Sequence, residues 1–289
     1  MLQDFTDYVS CSLDKNHFAL ALFLDLTKAF ETIDHEKLLV KLRNMGFRGP
    51  FYTFLQDYIT DRYQLVKIRD CRSNVIRIKS GVPQGSTIGP LLFNIYVNQI
   101  GALPLASRVY QYADDTALVL EHSDETSALS IFQKDVELLM VWFSENHIFV
   151  NSSKTKLMCF HSPYKHVNLS TPLFLHSDSC KTCSCVPLDY VLTTKYLGMH
   201  LDVNLLWNDH VEYIIKKMRA VSAYLYKLRS VANVSLRRRV YNALGESILR
   251  YGISLYGMCS NYKKSKFDNI LYKIACNITY GTMYEEEEK

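Results

Sequence analysis

Three carboxylates in this chain stand where a divalent cation could use them. Asp25 lies near the end of the apolar run FALALFLDL, and Asp114 and Asp115 close the run QYADD. Magnesium prefers hard oxygen ligands in near-octahedral geometry and keeps several waters, so two or three carboxylates on rigid strands meeting at one point suffice to hold it. A pair of such ions about 3.5–4 Å apart stabilises both the attacking and the leaving oxygen of an in-line displacement at phosphorus. Asp25 is the more pointed signal. A carboxylate on so apolar a run is expensive unless its charge is compensated, and a metal compensates it. Taken alone, Asp114–Asp115 reads as a solvated hairpin tip and Asp25 as the start of a turn.

The hydrophobic pattern supplies the elements that would carry these acids. Residues 17–26 are short and apolar throughout, as in a buried central strand. Residues 107–112 and 116–121 read as two strands flanking Ala113–Asp115, which places the acids in a hairpin turn. Residues 125–146 form an amphipathic helix, with Leu129, Phe132, Val136, Leu139 and Phe143 on one face. Further helices are expected over 2–13, 35–45 and 50–60, punctuated by Gly46 and Gly49–Pro50, and a strand hairpin over 63–69 and 75–79. GVPQGS (81–86) is a loop leading into a helix over Ser86–Asn98 that tolerates Pro90 in its first turn. Strands follow near 148–150 and 155–160, then an irregular stretch over 161–190 and a strand over 195–202. From 207 onward the chain is helical. Ile214, Met218, Val221, Leu225 and Leu228 make one stripe, with Lys216, Arg219 and Lys227 opposite.

Composition narrows the class. At 289 residues and 48% hydrophobic, the chain can bury a core and does not read as disordered. The formal net charge of +4 says little, but residues 207–250 carry nine Lys/Arg against three acids, the footprint of a phosphate-binding surface. The plainer account of such a stretch is a solvated helix face. Acids occur early in MLQDFTDYVS and no run of 18 apolar residues exists, so neither a secretory signal nor a membrane span is expected. The eight cysteines are then expected as reduced thiols of an intracellular protein, in nucleus or cytoplasm. Cys180, Cys183 and Cys185, near His176, have a zinc-like spacing, but free loop thiols are the simpler reading.

The order of motifs raises the acids above their isolated meaning. FLDLTKAFETIDH (23–35), GVPQGSTIGPLLFNIYVN (81–98), YADD (112–115), NSSKT (151–155) and YLGMHLD (196–202) occur in the order and rough spacing of reverse-transcriptase motifs A to E. The sequence closely resembles reverse transcriptases of non-LTR (LINE-like) retrotransposons, over residues 1 to about 255. Ala113 before the acidic pair and the wording AF-x-T-x-DH are typical of that branch. Glu31 departs from it, standing where the family usually has Asp.

The resemblance implies an α+β fold: a right-hand polymerase palm, an antiparallel sheet backed by helices, followed by a helical thumb. It divides the chain into the end of the fingers connection (1–24), a palm (25–205, with an irregular insertion near 161–190), a basic helical thumb (206–255), and a C-terminal helix with an acidic tail (256–289). It implies RNA-directed DNA synthesis with two magnesium ions held by Asp25, Asp114 and Asp115. The partners would be an RNA template, a DNA primer and deoxynucleoside triphosphates. Phe30 matches an aromatic gate against the ribose 2′-hydroxyl, and Gln84 and Gly85 the turn lining nucleotide and template. Lys154 matches a lysine that could protonate the leaving pyrophosphate. Tyr196, Leu197 and Gly198 match the primer grip, and Lys216, Arg219 and Lys227 would follow the nucleic-acid backbone. Only 24 residues precede Asp25, so most of the fingers is expected to be missing and activity to be weak or absent. The competing readings are a non-catalytic nucleic-acid-binding remnant and a group II intron-like maturase, for which no maturase-specific helical region is apparent. An RNA-dependent RNA polymerase is disfavoured by Phe30.

Overall fold

In the computed structural model, which describes residues 1–165, 167, 171–176, 185, 187–257 and 259–281, helix α1 (Leu2–Asp14) is followed by strand β1 (Phe18–Leu24). Every residue of β1 is buried, because both faces of the strand are covered. Phe18, Leu20, Leu22 and Leu24 enter the main core. On the opposite face Phe23 meets Phe5 of α1, ring centres 5.8 Å apart, and Phe5 also packs edge-on against Tyr110 and Phe160. Residues 1–24 thus contain a helix packed on a buried strand of the sheet.

Strand β2 (Leu26–Thr27) leads to helix α2 (His35–Asn44), whose N-terminus is capped by Asp34 accepting from the Lys37 N–H at 2.9 Å. Gly46, at φ +94°, ends that helix, and α3 (Gly49–Ile59) begins with Pro50 in its first turn. The expected hairpin is nested: β3 (Tyr63–Gln64) pairs with β6 (Ile76–Arg77), enclosing β4 (Lys67–Ile68) and β5 (Cys71–Arg72). The next helix, α4 (Gly89–Val97), starts three residues later than Ser86. The Ser86 hydroxyl accepts from the Gly89 N–H and donates to the Pro83 carbonyl, which makes Ser86 part of the turn.

Strands β7 (Arg108–Tyr112) and β8 (Asp115–His122) form the hairpin that carries the acidic pair. Helix α5 (Glu125–Glu145) then buries Leu129, Phe132, Val136, Leu139 and Phe143 as its spacing predicts. Each such side chain stabilises the fold by about 1.5–3 kcal/mol relative to exposure. Strand β9 (Phe149–Val150) pairs with β2, and β10 (Lys156–Phe160) completes an antiparallel sheet of order β10-β1-β8-β7. A small ladder joins β11 (Leu173–Phe174) to β12 (Pro187–Leu188).

The chain divides into two compact units, essentially residues 3–191 and 192–289. The division between these units falls before the YLGMHLD segment. That segment is not one strand. It is a hairpin, β13 (Thr193–Tyr196) and β14 (Met199–Asp202), turning at Leu197–Gly198. In the second unit α6 (Asn208–Lys227) buries Ile214, Met218, Val221 and Leu225, while Leu228 lies just past its end and is half-buried. Helices α7 (Val234–Tyr241), α8 (Ser247–Arg250), α9 (Ile253–Tyr256) and α10 (Asn261–Thr279) follow, with Asn277 of α10 donating to the Ser222 carbonyl and hydroxyl on α6. Among the described residues no helix is long and apolar enough to cross a membrane.

Candidate active site

Asp25 follows β1 directly, and β8 begins at Asp115. The last register pair between those strands is Leu24 with Thr116, so one further step outward sets Asp25 beside Asp115. Tyr112 pairs with Asp115 across a two-residue loop of Ala113 and Asp114, with Ala113 in the left-handed region at φ +53°. The three aspartates thus share one end of two neighbouring strands. The backbone of Asp25 is pinned from the other side by NSSKT: its carbonyl accepts from the Asn151 N–H at 2.8 Å, and its N–H donates to the Thr155 hydroxyl at 3.5 Å. This brings Lys154 to Asp25, its ammonium 3.8 Å from the carboxylate.

The electrostatics fit a cation. Desolvation raises the Asp115 carboxyl above its ordinary pKa, and the like charges of Asp114 and Asp25 raise it further. Three hard oxygen donors that repel one another are a donor set a divalent ion relieves. Among the described residues no three His, Cys, Asp or Glu side chains are placed so that they could hold a metal ion by themselves. An ion here would take the rest of its shell from water or ligand oxygens.

A second strip of backbone lies against the segment after Asp25. The Gly81 N–H donates to the Ile33 carbonyl at 2.7 Å and the Val82 N–H to the Phe30 carbonyl at 2.9 Å. The Gly81 carbonyl in turn accepts from Arg62 at 2.5 Å and is 2.8 Å from the buried ring nitrogen Nε2 of His35. Beyond it, Gln84 donates to the Glu31 carboxylate at 3.1 Å, and Gly85 turns at φ +76° with open space where a Cβ would stand. Phe30 is half-buried and stacks on Phe93, ring centres 4.7 Å apart. Phe30, Gln84 and Gly85 are therefore brought together by one stitched loop. His35 and Arg62, which hold it, were not singled out by sequence. His35 lay inside a quoted motif, but nothing local marks Arg62.

The reverse transcriptase (RNA-dependent DNA polymerase) family matches residues 3–201. The chain belongs to that family. Its relatives place it in the non-LTR retrotransposon branch. It is 28% identical over 273 residues to the probable RNA-directed DNA polymerase from transposon BS of Drosophila melanogaster, covering 90% of this chain and 29% of that protein. It is 24% identical over 286 residues to the RNA-directed DNA polymerase from mobile element jockey of the same fly, covering 94% and 30%. The chain thus spans about 30% of the length of these relatives. Among solved structures, telomerase from Candida albicans in complex with a TWJ fragment of telomeric RNA aligns with TM-score 0.47 and 12% identity, over 96% of this chain and 48% of that one.

The remaining reverse-transcriptase positions lie in the second unit. Tyr196 is buried, so its side chain belongs to the core, and the hairpin tip offers Leu197 and Gly198. Both tip residues have positive φ, 46° and 81°, as a primed two-residue turn requires. Tyr251 fixes the tip by donating its hydroxyl to the Leu197 carbonyl at 2.5 Å. Lys216, Arg219 and Lys227 are exposed on α6, opposite its buried stripe. Cys180 and Cys183 lie outside the described residues, as does the acidic tail; Cys185 is described and half-buried.

Proposed function

We propose that this chain carries the nucleotidyl-transfer centre of an RNA-directed DNA polymerase, extending a DNA primer on an RNA template with deoxynucleoside triphosphates. The observation that carries this reading is the meeting of Asp25, Asp114 and Asp115 at one strand end with Lys154 beside them. Asp25 and Asp114 would hold two magnesium ions, with Asp115 supporting them. Bound there, magnesium favours the deprotonated 3′-hydroxyl and neutralises the departing pyrophosphate. Lys154 supplies the proton the pyrophosphate takes up. Phe30, braced by Phe93, blocks a ribose 2′-hydroxyl, and Gln84 and Gly85 line the nucleotide and template. In this reading the first unit is the palm. The second holds the primer grip at Tyr196, Leu197 and Gly198, where Tyr196 acts as a core anchor for the tip. It also holds a thumb whose Lys216, Arg219 and Lys227 follow phosphates.

Primer extension on an RNA template with magnesium tests the proposal. Asp114→Ala should lower extension by about a thousandfold, since several kcal/mol of charge stabilisation is lost. Phe30→Ala should raise ribonucleotide incorporation relative to deoxynucleotide. Extension by the unsubstituted chain that Asp114→Ala leaves unchanged would overturn the catalytic reading.

A further inference from the structure

A helix on the surface of a folded domain normally turns its aromatic residues inward. Helix α3 buries Tyr52, Leu55 and Ile59, yet it turns Phe51, Phe54 and Tyr58 along a different face. Together with Phe47, these rings form a continuous ladder. Phe47 to Phe51 is 5.7 Å between ring centres at 29°, Phe51 to Phe54 is 6.3 Å at 18°, and Phe54 to Tyr58 is 6.2 Å at 29°. The end rungs, Phe47 and Tyr58, are half-buried and packed against the core. The middle rungs are open, Phe51 at 56% and Phe54 at 50% of full exposure. Four near-parallel rings, anchored at both ends and bare in the middle, make a preordered stacking surface.

Its surroundings are predominantly basic. Residues 40–79 hold nine Lys/Arg against three acids, the same excess as residues 207–250. Arg48 sits at the Phe47 end, donating to the Phe47 and Arg43 carbonyls, and Arg43 lies over the Tyr52 ring. At the other end Arg62 follows Tyr58 and leads into the hairpin bearing Lys67, Arg69, Arg72, Arg77 and Lys79. Of the acids, Asp61 is paired with Arg77, leaving Asp57 and Asp70. A partner that is polyanionic and also offers flat π faces matches both features. That partner is single-stranded nucleic acid, since a duplex hides its base faces in the stack.

We infer that the Phe47–Phe51–Phe54–Tyr58 ladder on α3 is a single-strand binding platform, with bases stacking on Phe51 and Phe54 and phosphates reaching the arginines and lysines at either end. Neither the aspartate centre nor the basic face of α6 takes part in it. The ligand class agrees with the proposed function, but the binding is separate from catalysis and is measured without metal or nucleotide triphosphate.

The test is fluorescence anisotropy of a labelled 20-nucleotide single-stranded oligouridylate, and of a duplex of equal length, titrated with the whole chain at several salt concentrations. Phe51→Ala with Phe54→Ala should weaken single-strand binding about tenfold or more. Duplex affinity should stay the same, as should the slope of affinity against salt, which counts phosphate contacts. Phe51→Tyr with Phe54→Tyr should keep single-strand binding within about twofold, which separates stacking from folding. Replacing Lys67, Arg69 and Arg72 together by Gln should instead flatten the salt slope. Unchanged single-strand affinity in the alanine variant, with an unaltered thermal midpoint, would overturn the inference. So would sedimentation showing that the alanine substitutions turn a dimer into a monomer, which would make the ladder a contact between copies.

Discussion

A methyl group at residue 81 would lie 2.8 Å from the backbone of Phe30 and Glu31, and φ there is +85°. Gly81 is where the motif B loop presses on the segment after Asp25, and only glycine permits both the contact and the conformation. Gly81→Ala should destabilise the fold by about 1–3 kcal/mol in urea unfolding. A loss smaller than that would mean the stitch is not tight. His35 acts on the same carbonyl from a buried position. With the loop loosened, His35→Ala should raise KM for the deoxynucleotide several-fold with less change in kcat, and His35→Gln, which keeps a donor, should recover part of it. An equal fall in kcat with KM unchanged would argue against a positioning role. Asp25, Asp114 and Asp115 were legible in sequence because motif order located them. The partners that hold their neighbours in place were not, since the contacts of His35 and Arg62 with Gly81 span 46 and 19 residues of chain.

At the scale of elements, what sequence showed well is what hydrophobic period dictates. The strand over 18–24 and the helix over 125–145 came from apolar runs and spacing. What it showed poorly depended on single turns: the hydroxyl of Ser86 delaying α4, and Leu197 taking a left-handed φ so that one expected strand folds back on itself. Helix α1 was expected, but its role as cover for the central strand depends on Phe5 meeting Phe23, Tyr110 and Phe160. Phe5→Ala should cost about 3–5 kcal/mol, read by urea unfolding, and a loss under 1 kcal/mol would mean the helix adds little to the sheet. In the second unit His210 on α6 is buried against Tyr256, and burial, with His200 nearby, lowers its pKa to about 4. Its Nδ1 accepts from the His200 N–H at 3.3 Å, which the neutral ring can do and the imidazolium cannot. The unfolded chain takes up this proton near pH 6.5 and the folded one only near 4, so the stability is complete above pH 6.5 and falls as pH drops towards 4. The loss is on the order of 2 kcal/mol. Urea midpoints between pH 7.5 and 5 should follow that slope, and His210→Phe should flatten it. A midpoint for the unsubstituted chain that does not move would contradict the assignment.

Over the whole molecule, a net charge of +4 conceals two basic stretches, 40–79 and 207–250, one in each compact unit. Sequence composition pointed to the second, and only the exposed rings of α3 gave the first a meaning. The family followed from the sequence and is borne out over residues 3–201, while the chain covers about 30% of its curated relatives. The account stands or falls on whether the three aspartates act as one cation centre. Manganese, which replaces magnesium and is paramagnetic, reports this by electron spin resonance of the free ion as the chain is titrated in the presence of a deoxynucleoside triphosphate. The unsubstituted chain should deplete the free-ion signal beyond what the nucleotide alone binds. Asp25→Asn and Asp114→Asn should each weaken that binding about tenfold or more, the loss of one charged ligand. Manganese binding that is the same in all three proteins would contradict the account.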